Sequence, residues 1–246
     1  MQLFQPLAVR LLKTTALCGG TKQTAPPIPL TITSINPYPM SDQDFFDSLL
    51  AKTKAAFEQS PLKAKHPDAR WFYSVCGTPV QTGKPVVLGI NWGVGTSEHE
   101  AQTTMPDGND VKNYDFIRDS SLYVKKHFNL NASAADYNYS NLCFFRTPDI
   151  GYLSSGDYQL SLPLFEEFIA HVKPPYILSI GTTNFDVLRG QKRIADWKQT
   201  DVPGASMQGQ AARYKGVKCF FVPHPQARLS NEHRVQLWEQ TTALAV

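Results

Sequence analysis

Four apolar runs, starting at Val86, Tyr137, Tyr176 and Val217, are separated along this chain by stretches with helical spacing of their apolar residues. Runs of this length that barely alternate fit strands buried on both faces, and strands alternating with helices form a parallel sheet covered on both sides. The pattern predicts an α/β fold, a three-layer α/β/α sandwich around a central, mainly parallel four-stranded sheet. Its clearest unit is Pro175 to Gly181 followed by Thr182-Thr183-Asn184-Phe185, a strand, a glycine turn and a helix start. Ser41 with Asp44 three positions on predicts the N-terminus of a helix carrying Phe45, Phe46, Leu49, Leu50 and Phe57, which stops by Ser60-Pro61. Further helices are expected over Tyr114–Phe128 and Asn231–Ala245, and a short strand over Trp71–Cys76. Residues 190–216, rich in Gln, Lys, Gly and Ala, read as a surface loop or insertion.

Five prolines between residues 21 and 40 mark an extended connector, because proline fixes φ and cannot donate to a ladder. The expected organisation is an N-terminal extension over 1–40 and a single domain over 41–246. The extension holds Arg10, Lys13 and Lys22 and no acidic residue before Asp42, but lacks the serine content and amphipathic pattern of a transit segment. A chain of 246 residues with 42% hydrophobic content can bury one large core. No run reaches the ~20 apolar residues of a membrane helix, so no membrane association is expected. A net charge of +3 permits a nucleic-acid partner without arguing for one. Cys18, Cys76, Cys143 and Cys219 are scattered, without the spacing that holds zinc or an iron–sulfur cluster, so neither metal nor other cofactor is expected. Three of them stand in apolar surroundings, as small core hydrophobes do, and a reducing, intracellular compartment fits: cytoplasmic in a bacterium, nuclear or organellar in a eukaryote.

Candidate chemistry concentrates where two apolar runs end. Val86 to Ile90 delivers Asn91 between Gly89 and Gly93, and Val217 to Val222 delivers His224 between Pro223 and Pro225. Ligands of α/β sheets sit outside the C-terminal ends of the strands. Each residue also has a plainer reading. An Asn between glycines suits a turn, a His between prolines suits a rigid corner, and Asn141 in the second run can bond to backbone.

Five segments, GINWG at 89–93, AQTTMP at 101–106, SNLC at 140–143, ILSIGTTNF at 177–185 and HPQAR at 224–228, together resemble the motif set of the uracil-DNA glycosylase superfamily, in order and approximate spacing. The resemblance covers about residues 85–240. It is closest to the branch with Asn in the first motif, which includes single-strand-selective monofunctional and mismatch-specific enzymes. It implies a uracil-DNA glycosylase-like fold and a monofunctional DNA glycosylase of base-excision repair. Such an enzyme hydrolyses the N-glycosidic bond of uracil or another damaged base by water attack on an oxocarbenium-like sugar. By the same resemblance Asn91 orients water and His224 donates to the departing base. Asn141 reads the base edge, and Gly89, Trp92 and Gly93 share in binding the substrate. Arg228, Leu229 and Gln226 contact DNA, with Arg228 on phosphate and Leu229 as wedge. The implied partner is DNA containing a damaged base, single- or double-stranded, bound by a monomer.

The chain departs from the family at three places. Trp92 replaces a proline, Gln226 a serine, and Pro106-Asp107-Gly108 stands where an aromatic residue stacks on the base, leaving Trp92 or Tyr114 as substitutes. Two other readings stay open: a non-catalytic DNA- or partner-binding protein of the same fold, and a hydrolase or transferase acting on a nucleoside or phosphorylated small molecule. The last would use the same crevice, but neither a GxxxxGK[ST] nor a GxGxxG loop is present.

Overall fold

A computed structural model describes residues 40–93, 101–107, 115–131, 133 and 135–246. Most of the N-terminal extension, with Cys18, and also Gly108 and Tyr114, lie outside these residues. Helix α1 (Asp42–Glu58) starts where its sequence predicts: Ser41 Oγ accepts from Asp44 N–H at 3.1 Å, and Asp42 and Asp44 place negative charge at the positive helix end. Phe45, Phe46, Leu49 and Phe57 form its buried face. Ser60 then caps a second short helix, α2 (Pro61–Lys65), with proline at the first turn, beyond the point where the apolar pattern of α1 ends.

Among the described residues, six strands make one sheet: β1 (Val86–Trp92), β2 (Asn138–Arg146), β3 (Tyr176–Ile180), β4 (Ile194–Gln199), β5 (Gln210–Tyr214) and β6 (Val217–Val222), in the order β2-β1-β3-β6-β5-β4. The four expected strands are β1, β2, β3 and β6, and they pair in parallel. The four-stranded sheet is corrected to six, because β4 and β5 add two antiparallel strands at one edge. Both come from the stretch read as a loop. β4 exposes nearly its whole length, so no apolar alternation marks it, and β5 packs alanines where β-branched residues would have signalled a strand.

Side chains alternate between the two faces of the sheet. On β6, Cys219 and Phe221 join a core with α1, α4 (Ser155–Val172) and α5 (Thr183–Gly190), while Phe220 and Val222 face the layer of α3 (Asp115–Phe128) and α6 (Asn231–Ala243). This places helices on both faces. α6 ends two residues before the expected Ala245.

The segment Trp71–Cys76 is not a continuous strand. Only Tyr73 and Cys76 form bridges, to Phe145 and Ser140 on the outer edge of β2. The Gln102 amide replaces a neighbouring strand: its Oε1 accepts from Val75 N–H at 2.7 Å and Cys76 N–H at 3.3 Å, and its Nε2 donates to Cys76 O at 2.8 Å. Among the described residues, no helix is long and apolar enough to cross a membrane.

Candidate functional site

The connections out of β1 and β2 place β2 on one side of β1 and β3 on the other. At such a reversal the strand ends separate and leave a crevice. Pairing of β1 with β3 ends at Leu88↔Ser179, whereas β1 continues along β2 as far as Trp92. The last residues of β1 therefore border an opening on the β3 side.

Gly89 and Asn141 meet on the β2 side of β1, near its C-terminal end. They are register partners, and Asn141 packs so closely on Gly89 that an added Cβ would come within 2.1 Å of Asn141 Oδ1. Only glycine leaves room for the amide. Asn141 is fully buried. Its Nδ2 makes one long contact, 3.5 Å to the Tyr139 hydroxyl, and among the described residues its Oδ1 has no partner. A buried unpaired carbonyl costs about 1–3 kcal/mol, and native structures retain few of them.

Asn184, at the start of α5, approaches Gly89 from the other side. Its Nδ2 donates to Gly89 O and to Ser179 Oγ, each at 2.9 Å, and its buried Oδ1 is also without a partner. Gly181, at φ +114°, turns the chain sharply out of β3, and no side-chain bond caps α5 at Thr182. Asn184 is thus spent on the strand ends rather than on the helix. In the sequence, the signal for this role is a polar residue one turn after a strand-glycine corner.

Asn91 is half-buried. Its Nδ2 donates to Thr147 Oγ1 at 2.8 Å and Thr147 O at 3.3 Å, and Thr147 Oγ1 donates onward to Asp149 O. A backbone carbonyl accepts only from the NH₂ end, so the amide orientation is fixed and Oδ1 is the end left to order a donor such as water. The register slips between Asn91 and Trp92, which pair with Cys143 and Arg146. This bulge places Trp92 in the core on the α3/α6 side at 3% exposure, edge-on to Tyr139 with ring centroids 5.0 Å apart. Gly93 is exposed and has open space where a Cβ would stand.

His224 follows β6, two places along the sheet from β1. At ~4.8 Å per strand that separation is roughly 10 Å, the span of a planar ring and its contacts. Its Nδ1 accepts from Gln226 N–H at 3.2 Å, which leaves the ring proton on Nε2. Burial and the nearby Arg234 guanidinium hold its pKa below the usual 6.5, against an opposing pull from Asp119. The imidazole is therefore a neutral donor near pH 7. Gln226 and Arg228 are exposed and Leu229 half-buried on the loop between β6 and α6.

Asp119, Ser120, Tyr123, Gln226, Asn231 and Arg234 line a polar cavity of about 300 Å³ behind this loop. A larger cavity, about 640 Å³, includes Glu166, Lys173 and Lys215 and lies by the start of β6, at the opposite edge of the sheet from the amides. Burial pushes the Cys143 and Cys219 thiols up to about 12 and Cys76 higher still, so none supplies a thiolate near neutral pH.

The structure thus brings Gly89 and Asn141 into direct contact and adds Asn184, Ser179 and Thr147, all missed in the sequence. It sets Asn91 and His224 on the same sheet edge with their polar orientations fixed, and it turns Trp92 into the core. No protein-family model matches this chain, and no curated protein matches it.

Proposed function

We propose that this protein is a monofunctional DNA glycosylase, hydrolysing the N-glycosidic bond of uracil or another damaged base in single- or double-stranded DNA. The observation that carries this reading is the Asn141 amide, buried against Gly89 near the C-terminal end of β1, with its Oδ1 unpaired among the described residues. An amide offers a donor and an acceptor in one plane. It accepts from uracil N3–H and donates to O4, whereas cytosine presents the opposite pattern and leaves buried groups unpaired.

Departure of the base leaves a cationic sugar and an anionic base, so the reaction needs an oriented water and a donor at the leaving oxygen. Asn91, with its NH₂ held by Thr147, turns Oδ1 to the water. No strong base is required, because the electrophile is already positive. His224, protonated on Nε2 and uncharged, donates to the base oxygen as charge develops there. Access requires a single strand or an extruded nucleotide. Arg228 pairs a phosphate and Leu229 fills the vacated stack.

One observation favours a second reading, a non-catalytic DNA- or partner-binding protein of the same fold. The Trp92 indole packs on Tyr139, beside the Asn141 amide, where a bound base would need space. The two readings separate when the pure protein is incubated with labelled oligonucleotides carrying uracil, hypoxanthine, xanthine or thymine opposite guanine, followed by alkaline cleavage. Strand scission on at least one substrate is expected. Binding without scission on every substrate would establish the second reading in its place.

A further inference from the structure

We propose that Arg234 is a positioning residue that fixes the imidazole of His224 by clamping the turn on which it stands; the catalytic consequence rests on the glycosylase reading, the clamp itself does not. Arg234 lies one turn into α6, and its guanidinium reaches out of the helix to the loop after β6. Nη1 donates to His224 O and Nη2 to Ala227 O, each at 2.9 Å. A planar guanidinium presents two N–H groups in a rigid fork, so one side chain sets the separation of two carbonyls three residues apart.

The same two residues close the turn from inside, with Ala227 N–H donating to His224 O at 2.9 Å. Between them, Gln226 N–H points back to His224 Nδ1. The imidazole orientation and its Nε2 proton thus depend on a backbone amide inside the turn that Arg234 holds. Prolines on both sides of His224 limit the backbone but make none of these bonds, since proline has no N–H. Among the described residues, the charged groups that bear on His224 include Arg234 from α6 and Asp119 from α3, the latter paired with Arg118.

The separation of geometry from charge makes this testable. Arg234→Lys keeps a cation near the turn but offers no fork, and Arg234→Ala removes both. Nitrogen-15 NMR of the full chain reads the His224 tautomer and titration, and hydrogen exchange reads the Gln226 and Ala227 amides. In both variants exchange at these two amides is expected to rise at least about tenfold, and the pure Nε2-protonated form to give way to a tautomer mixture. His224 titrates higher in Arg234→Ala than in Arg234→Lys, because only the latter keeps the opposing charge. On a substrate that wild type cleaves, kcat falls by about tenfold with KM little changed, and millimolar guanidinium restores part of the loss in Arg234→Ala.

If either folded variant keeps the wild-type tautomer and amide protection, the clamp is wrong whatever the activity. If Arg234→Ala does not fold, Arg234→Lys decides alone. If wild type releases no base while the tautomer and exchange change as stated, the clamp stands and the glycosylase reading falls.

Discussion

Two amides flank Gly89, those of Asn141 and Asn184, and among the described residues the oxygen of each is buried without a partner. At about 1–3 kcal/mol each they are a cost that an apolar side chain of the same shape would avoid. Asn141→Leu, nearly isosteric, is therefore expected to leave stability unchanged or raise it by about 1 kcal/mol while reducing base release at least a hundredfold; urea unfolding and a single-turnover assay measure the two sides. Loss of both together would mean the amide is merely structural. His224 carries a pH prediction. Its folded pKa lies below 6.5, so as pH falls below 6.5 the unfolded chain takes up this proton first. Its contribution to stability is whole above 6.5 and is lost as pH descends through the lower, folded value. Base release, which uses the neutral ring, should hold to a lower pH than an ordinary histidine allows and then fall. A pH–rate profile with its acid limb above 6.5 would contradict the neutral-donor role.

Among the elements, those buried on both faces were the readable ones. β1, β2, β3 and β6 announce themselves as apolar runs, and α1 through its serine cap and aromatic stripe. β4 and β5 gave no such signal, since one is exposed and the other is a short alanine-bearing strand stabilised by its neighbours. Within the site, Asn91 and His224 were legible because each stands at the end of such a run. Asn184, Thr147 and Arg234 were not, because Asn184 and Thr147 meet partners on β1 that lie 95 and 56 residues away, and Arg234 reaches backbone carbonyls across a loop, relations that no local pattern encodes. Gln102 belongs to the same class. Its segment resembled a catalytic motif, yet its amide serves the Val75–Cys76 backbone in place of a strand. Gln102→Ala is expected to cost about 2–4 kcal/mol in urea unfolding, by leaving two N–H groups and a carbonyl without their partner. A loss under 0.5 kcal/mol would show that water replaces it.

For the whole molecule, 24 basic residues against 21 acidic give a net charge of only +3, and several basic side chains are paired locally, as in Lys52–Glu167, Lys126–Glu239 and Arg193–Glu166. Affinity for DNA backbone should depend weakly on salt, with a log–log slope corresponding to about two or three phosphates. Titration of a fluorescent oligonucleotide between low and moderate salt measures it, and a slope near that of six or more phosphates would point to a basic groove this account does not contain. The proposed chemistry centres on Asn91, Asn141 and His224 at the C-terminal ends of the strands. Its most direct test is the single-turnover rate of free-base release from a uracil-containing single strand by wild type, Asn91→Ala and His224→Ala. The predicted result is release by wild type and a fall of about 10²–10³ in each variant, the usual cost of one preorganised polar group. Undiminished release by both variants, with the fold intact, would contradict it.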